Sequence, residues 1–188
     1  MKMKNALFYI SIFFIFTGFF GNFIAEAKEK NIQKPIKKEE CTLSIEAGVV
    51  MRNGEARPIS RSKFYLLDKN LYKILIEGNF TDTDGKVLTK RDSVYITYIF
   101  SIRGGVFDQY RESNKKANLL IESHIVQSVT TDFGGKAAFE KVPPGIYYIM
   151  GFSELGSNEL LWDEEVKLSP GNNSLILDQN NTAYFYNR

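Results

Sequence analysis

From Cys41 to Val49 every second residue is apolar: Cys41, Leu43, Ile45, Ala47 and Val49, with Thr42, Ser44, Glu46 and Gly48 between them. A period of two predicts a half-buried β-strand. Ser62–Leu67 follows suit, with Phe64 and Leu66 on one face. Ile125–Thr131 resumes strand character, and in Lys136–Glu140 Ala137 and Phe139 face one way while Lys136, Ala138 and Glu140 face the other. Ile146–Phe152 is apolar on both faces, which suits a central strand. Leu160, Trp162, Val166 and Leu168 share one parity, and Ser174–Leu177 closes the series. Turns separate these runs: Asn53-Gly54, Arg57-Pro58, Asp132-Phe133-Gly134-Gly135, Pro143-Pro144-Gly145 and Pro170-Gly171-Asn172-Asn173. Gly134 and Gly135 both tolerate positive φ, and Pro143-Pro144 fixes φ twice before Gly145 releases it. Turn, strand, turn, strand predicts a small antiparallel sandwich.

Between Asp68 and Ile125 the period changes. Asp68 is a candidate N-cap, with Leu71, Ile74 and Leu75 on one helical face and Gly78 as a stop. Asn79–Thr89 reads as a polar turn region. Asp92 or Ser93 could cap a second helix through Ile102, ended by Gly104-Gly105, although Val94–Ile99 is also good strand material. Phe107–Ser123 places Phe107, Tyr110, Ala117, Leu120, Ile121 and His124 near one stripe and reads as a third helix. Compact folds join neighbouring elements in about 4–6 residues. A far longer excursion implies a helical insertion, about 69–124, packed over one end or edge of the sheet and the first place to look for a specific function. Tyr184-Phe185-Tyr186 is either a last edge strand or a partner-docking peptide.

The set Thr131-Asp132, Gly135-Lys136, Phe139, Pro144-Gly145 and Tyr147 resembles the carboxypeptidase regulatory-like domain. It is also similar to the repeats of Gram-positive collagen-adhesin stalks. The resemblance covers residues 41–68 and 125–178. It implies a mainly β fold: a seven-stranded antiparallel sandwich of the Ig or transthyretin (prealbumin) kind, here with the helical insertion between its second and third strands. Such modules act as binding, spacing or stabilising parts beside something else, so the resemblance implies little about function.

The amino terminus carries the clearest functional signal. Lys2 and Lys4 precede the apolar run Ala6–Ile24, which holds seven phenylalanines, and Ala25-Glu26-Ala27 follows. Basic, apolar, then A-x-A is the pattern of an export signal over residues 1–27. An uncleaved membrane anchor is the alternative, and the only route to a membrane. No cysteine ends the run, which argues against a lipid anchor. Residues 28–40 are polar and charged and read as a linker, leaving 41–188 as the folded domain. Net charge is +2, and removal of residues 1–27 leaves +1, which gives no electrostatic footprint for nucleic acid. The single cysteine, Cys41, lies on the apolar parity of its strand and reads as a buried thiol.

Catalytic chemistry finds few groups. The regulatory-like resemblance does not bring the peptidase, because zinc needs several ligands and the chain has one histidine, His124, read as packed or capping. No Gly-x-Ser-x-Gly elbow and no phosphate-cradling loop occurs. Asp82-Thr83-Asp84-Gly85 resembles half a calcium loop but lacks the later Glu, and reads as a hydrated turn. The adhesin stalks' Lys–Asn self-crosslink needs a Glu just after the Tyr of its strand, and none occurs here before Glu154. Aromatics remain: Tyr147, Tyr148, Phe152 and Trp162 are the candidates for a sugar-stacking platform, because the fold is similar to known carbohydrate-binding modules, and core packing is the competing reading. The expectation is an exported protein of periplasm, envelope or exterior, not an enzyme and without cofactor or metal. Its partner would be a protein or glycan met through the insertion, or it would serve as an envelope spacer or assembly subunit.

Overall fold

The computed structural model describes residues 39–103 and 108–187. The expected signal segment, most of the linker and Gly104-Gly105 lie outside them. The elements run β1 (Cys41–Val50), β2 (Ala56–Pro58), β3 (Lys63–Leu67), α1 (Leu71–Glu77), α2 (Arg91–Ile102), a single 3-10 turn (Asp108–Tyr110), α3 (Arg111–Glu122), β4 (Ile125–Thr130), β5 (Lys136–Val142), β6 (Gly145–Leu155), β7 (Asn158–Leu168), β8 (Gly171–Leu177) and β9 (Tyr184–Asn187).

The strands form two sheets. In one, β1 is central: β5 pairs with it antiparallel along Cys41–Glu46, β2 antiparallel along Gly48–Val50, and β8 parallel along Cys41–Ala47. The other has the order β4-β3-β6-β7-β9, antiparallel throughout. Three expectations are corrected here. The described residues hold nine strands rather than seven, because β2 extends the β1 hairpin and β9 pairs with β7 along Asn158–Leu161. With β2 counted, the helices lie between the third and fourth strands. The sandwich is also not wholly antiparallel: β7 belongs to one sheet and β8 to the other, so the chain crosses over and β8 meets β1 running the same way.

Three layers result. Cys41, Leu43, Ile45, Ala47, Val49, Phe139 and Val142 of the first sheet pack against Phe64, Leu66, Ile149, Leu160, Trp162 and Leu168 of the second. The outer face of the second sheet presents Leu67, Met150 and Leu161 to α1–α3, which bring Leu71, Ile74, Leu75, Val94, Tyr95, Tyr98, Ile99, Ala117 and Ile121. The insertion therefore covers a face of the sheet, not its end or edge. This explains why β6 is apolar on both sides: Ile149 enters one core and Met150 the other. It also decides between helix and strand for Val94–Ile99. Val94, Tyr95, Tyr98 and Ile99 recur at helical spacing and are buried together against the sheet.

Caps and turns depart in part from what their local residues predict. The cap of α1 is Asn70, whose side chain accepts from Lys73 N at 3.2 Å, and not Asp68. α2 begins after Lys90 without a side-chain cap, so neither Asp92 nor Ser93 caps it. Of the two turn glycines, Gly135 alone takes positive φ (77°). A bulge in β5, with Lys141 at φ 56°, skips a position so that Phe139 and Val142 both face inward. At Gly151 a Cβ would lie 2.3 Å from Cδ1 of Phe64, so only glycine lets that ring lie over β6 and reach Trp162 at 5.5 Å.

Candidate functional site

The neck of the insertion is the first polar constellation. Asp68 and His124 flank the helices, and their side chains meet at 2.7 Å while Asp68 N donates to His124 O at 3.1 Å. β3 and β4 are neighbouring strands, so these bonds close the point where the chain leaves and rejoins the sheet. His124 is thus engaged by a carboxylate at a strand end, and Cys41 is buried in the inter-sheet core. The described residues contain no cluster of metal-ligating side chains. Asp82 spends its carboxylate on its own turn, accepting from Asp84 N at 3.0 Å and Lys86 N at 2.8 Å. Asp132 does the same for Gly134 N and Lys136 N, so the calcium-like segment is the same kind of turn as the β4–β5 hairpin.

The four aromatic candidates do not come together. Trp162 is 0% exposed, sits in the inter-sheet core and donates its indole N–H to Asp178 O at 3.1 Å. Tyr147 packs on the same core, with its hydroxyl donating to Pro143 O at 3.0 Å. Tyr148 and Phe152 have the opposite parity and pack toward the helices. Alternation along β6 therefore splits the set between two faces, and no shared platform forms.

Asp163, which the pattern of the sequence passed over, organises the helical layer. Its carboxylate accepts from Leu71 N (2.9 Å), Tyr72 N (3.2 Å) and the Tyr95 hydroxyl (2.6 Å), tying β7 to the start of α1 and to α2. Burial pushes its pKa up, and the three hydrogen bonds and nearby Arg91 pull against that shift. Tyr95 is held protonated by burial and by this carboxylate. A signal existed: an acidic residue on the apolar outer parity of Leu161. On the far end of α2, Arg103 donates to Glu154 and Glu159, each at 2.7 Å, fastening the helix to the β6–β7 hairpin.

Two stretches of open surface border the helical layer and the β1 sheet. Between α2 and α3, facing away from the sheet, a groove of about 510 Å³ is lined by Ser101, Ile102, Arg111, Asn114, Lys115, Asn118, Leu119 and Glu122. Leu119 is 63% exposed, and Asn114 Nδ2 donates to Ser101 O while accepting from Asn118. The spacing of Arg111, Lys115, Asn118, Leu119 and Glu122 on one helical face was visible in the sequence, although their role as an outward stripe needed the helix to be placed. The outer face of the β1 sheet is also uncovered. It forms a shallow concavity of about 660 Å³ with Ser44, Glu46, Ala138, Ser174 and Ile176 among its lining.

No protein-family model matches this chain, and no curated protein matches it. Among solved structures it is similar to a candidate carbohydrate-binding protein from Pseudomonas aeruginosa, with TM-score 0.41 and 15% identity over 75% of this chain and 89% of that one. It is also similar to the minor pilin of Streptococcus agalactiae, with TM-score 0.39 and 9% identity over 74% of this chain and 44% of that one. The pilus backbone protein of Streptococcus pneumoniae follows, with TM-score 0.27 and 9% identity over 68% and 34%. At these scores the likeness decides neither family nor function.

Proposed function

We propose that this chain is an exported, non-catalytic β-sandwich module that binds a protein or glycan partner in the cell envelope through the outward side of its helical layer. One observation carries the reading. The inward side of α1–α3 is consumed by core, while the α2–α3 groove leaves Leu119 exposed beside Arg111, Lys115, Asn114 and Asn118. An apolar anchor ringed by hydrogen-bonding groups is the composition of a binding patch. Export rests on the residue 1–27 pattern, with 28–40 as the tether and 41–188 as the module, and kinship with the carboxypeptidase regulatory-like domains rests on the motif residues alone. Within this reading a sugar contact falls to the half-exposed Tyr147 or Tyr148 rather than to Trp162.

The test is Leu119→Asp with Lys115→Glu, followed by quantitative capture of envelope proteins and glycans. Loss of one specific partner, with an unchanged melting temperature, is expected. Undiminished capture would refute the groove. A second reading, an assembly subunit, is favoured by β9: Phe185 and Tyr186 are 41% and 47% exposed on an edge strand that pairs with β7 only along Asn158–Leu161. It expects concentration-dependent oligomers by light scattering, lost in Phe185→Lys.

A further inference from the structure

Two hairpins bring their tips together at one end of the sandwich: Met51–Glu55, between β1 and β2, and Leu155–Asn158, between β6 and β7. Between them lies a pocket of about 250 Å³ lined by Met51, Arg52, Asn53, Arg57, Ser157 and Asn158. Two of these six residues are arginines and none is acidic. Glu55, outside the lining, engages Arg57 at 3.0 Å, whereas Arg52 has no ion-pair partner among the described residues. Asn158 is 4% exposed, yet its amide oxygen meets no donor and its NH2 rests on the Met51 sulfur at 3.6 Å, a weak acceptor. A buried amide left half-satisfied is costly and calls for a partner.

We infer that this pocket binds a small anion that also carries hydroxyl groups, of the hydroxy-carboxylate class that includes the uronic acid residues of acidic glycans. The carboxylate meets Arg52, whose planar fork matches its two oxygens, beside Arg57, which Glu55 already engages. The Asn158 oxygen is shut from water, and a turn of the amide away from its weak sulfur contact brings it to a ligand hydroxyl, with the Ser157 hydroxyl alongside. The volume is below the ~300 Å³ at which sites begin to enclose drug-sized ligands, which suits one sugar ring or one free acid. This site is separate from the α2–α3 groove and holds whether or not that groove binds a partner.

The test is a two-dimensional amide and side-chain NMR titration of the ¹⁵N-labelled protein with glucuronate, glucose, acetate and sulfate at low salt. Glucuronate is expected to give saturable shifts confined to the two hairpin tips, with a dissociation constant on the order of a millimolar for a ligand so small. Arg52→Gln with Arg57→Gln is expected to weaken it at least ~10-fold without lowering the melting temperature. Acetate and glucose, each carrying half the chemistry, should bind at least ~10-fold more weakly than glucuronate. Sulfate matching glucuronate would overturn the hydroxyl contact, and glucose matching it would overturn the anion contact. Absent shifts, or shifts indifferent to the arginine pair, would overturn the site altogether.

Discussion

Replacing Asp163 by Ala removes the acceptor on which the helical layer is fastened. The variant leaves three donors without a partner: the Tyr95 hydroxyl, which is buried, and the amides of Leu71 and Tyr72. A buried donor left unsatisfied costs ~1–3 kcal/mol, with the amide of the half-buried Tyr72 at the lower end. Removing the carboxylate also relieves its own desolvation, so the expected net loss is about 2–4 kcal/mol, a large part of the ~5–15 kcal/mol that holds a domain together. The fold supplies two independent probes. The chain's one tryptophan, Trp162, reports the inter-sheet core, and far-ultraviolet circular dichroism near 222 nm reports α1–α3. In urea both midpoints should fall, with the helical signal falling at least as far. Asp163→Asn, which keeps one acceptor oxygen, should lose less. The pH dependence has a definite sign. Burial raises the folded carboxyl above its unfolded value of about 3.9, so folding takes up a proton in that window. The stability this group contributes is full below the unfolded pKa and is lost as pH rises through the raised folded one. Wild type should therefore gain on Asp163→Asn as pH falls from neutrality toward 4. A loss under about 1 kcal/mol in Asp163→Ala, with both probes unmoved, would refute the anchoring argument.

Three further outcomes are expected. Gly151→Ala drives a methyl into the Phe64 ring and should cost about 1–3 kcal/mol, read as a lower urea midpoint and an altered Trp162 emission. Deleting residues 69–124 should abolish folding rather than yield a bare sandwich. It uncovers Leu67, Met150 and Leu161, each worth ~1.5–3 kcal/mol when buried, and a folded monomeric deletion by NMR would contradict the three-layer account. The Asp68–His124 pair joins side chains 57% and 29% exposed, so a double-mutant cycle with Asp68→Asn and His124→Gln should return no more than ~1 kcal/mol of coupling.

Most of the strands were legible in the sequence because side-chain direction in a regular strand alternates, and the bulge in β5 breaks the pattern. Leu43, Ile45, Phe64, Leu66 and Phe139 lie inward as their parity requires. The length of the Asp68–Ile125 excursion and the spacing of Leu71, Ile74 and Leu75 revealed helices for the same kind of reason. Short or irregular pieces were not legible. Nothing local marks Ala56–Pro58 as a strand until β1 offers it hydrogen bonds, and the aromatic run Tyr184–Tyr186, legible as an edge strand or a docking peptide, is decided for the strand by its pairing with β7. The aromatic platform failed because parity says which residues share a face but not what covers it. Tyr148 and Phe152 meet helices, and Trp162 meets the other sheet.

What the sequence determined by itself is therefore periodic and local: which stretches extend, which coil, where the chain turns, and that one imidazole and one thiol are its whole stock of such groups. What the tertiary structure decided is who neighbours whom. It set β8 parallel to β1, laid the helices over a sheet face, joined Asp68 to His124 and Asp163 to Tyr95, and brought Arg52 and Arg57 opposite Asn158. Each of these partners lies far along the chain from the other. Side-chain direction follows from the adjacent backbone, but long-range contacts depend on burying both faces of one sheet at once, and that condition is met only by the whole chain.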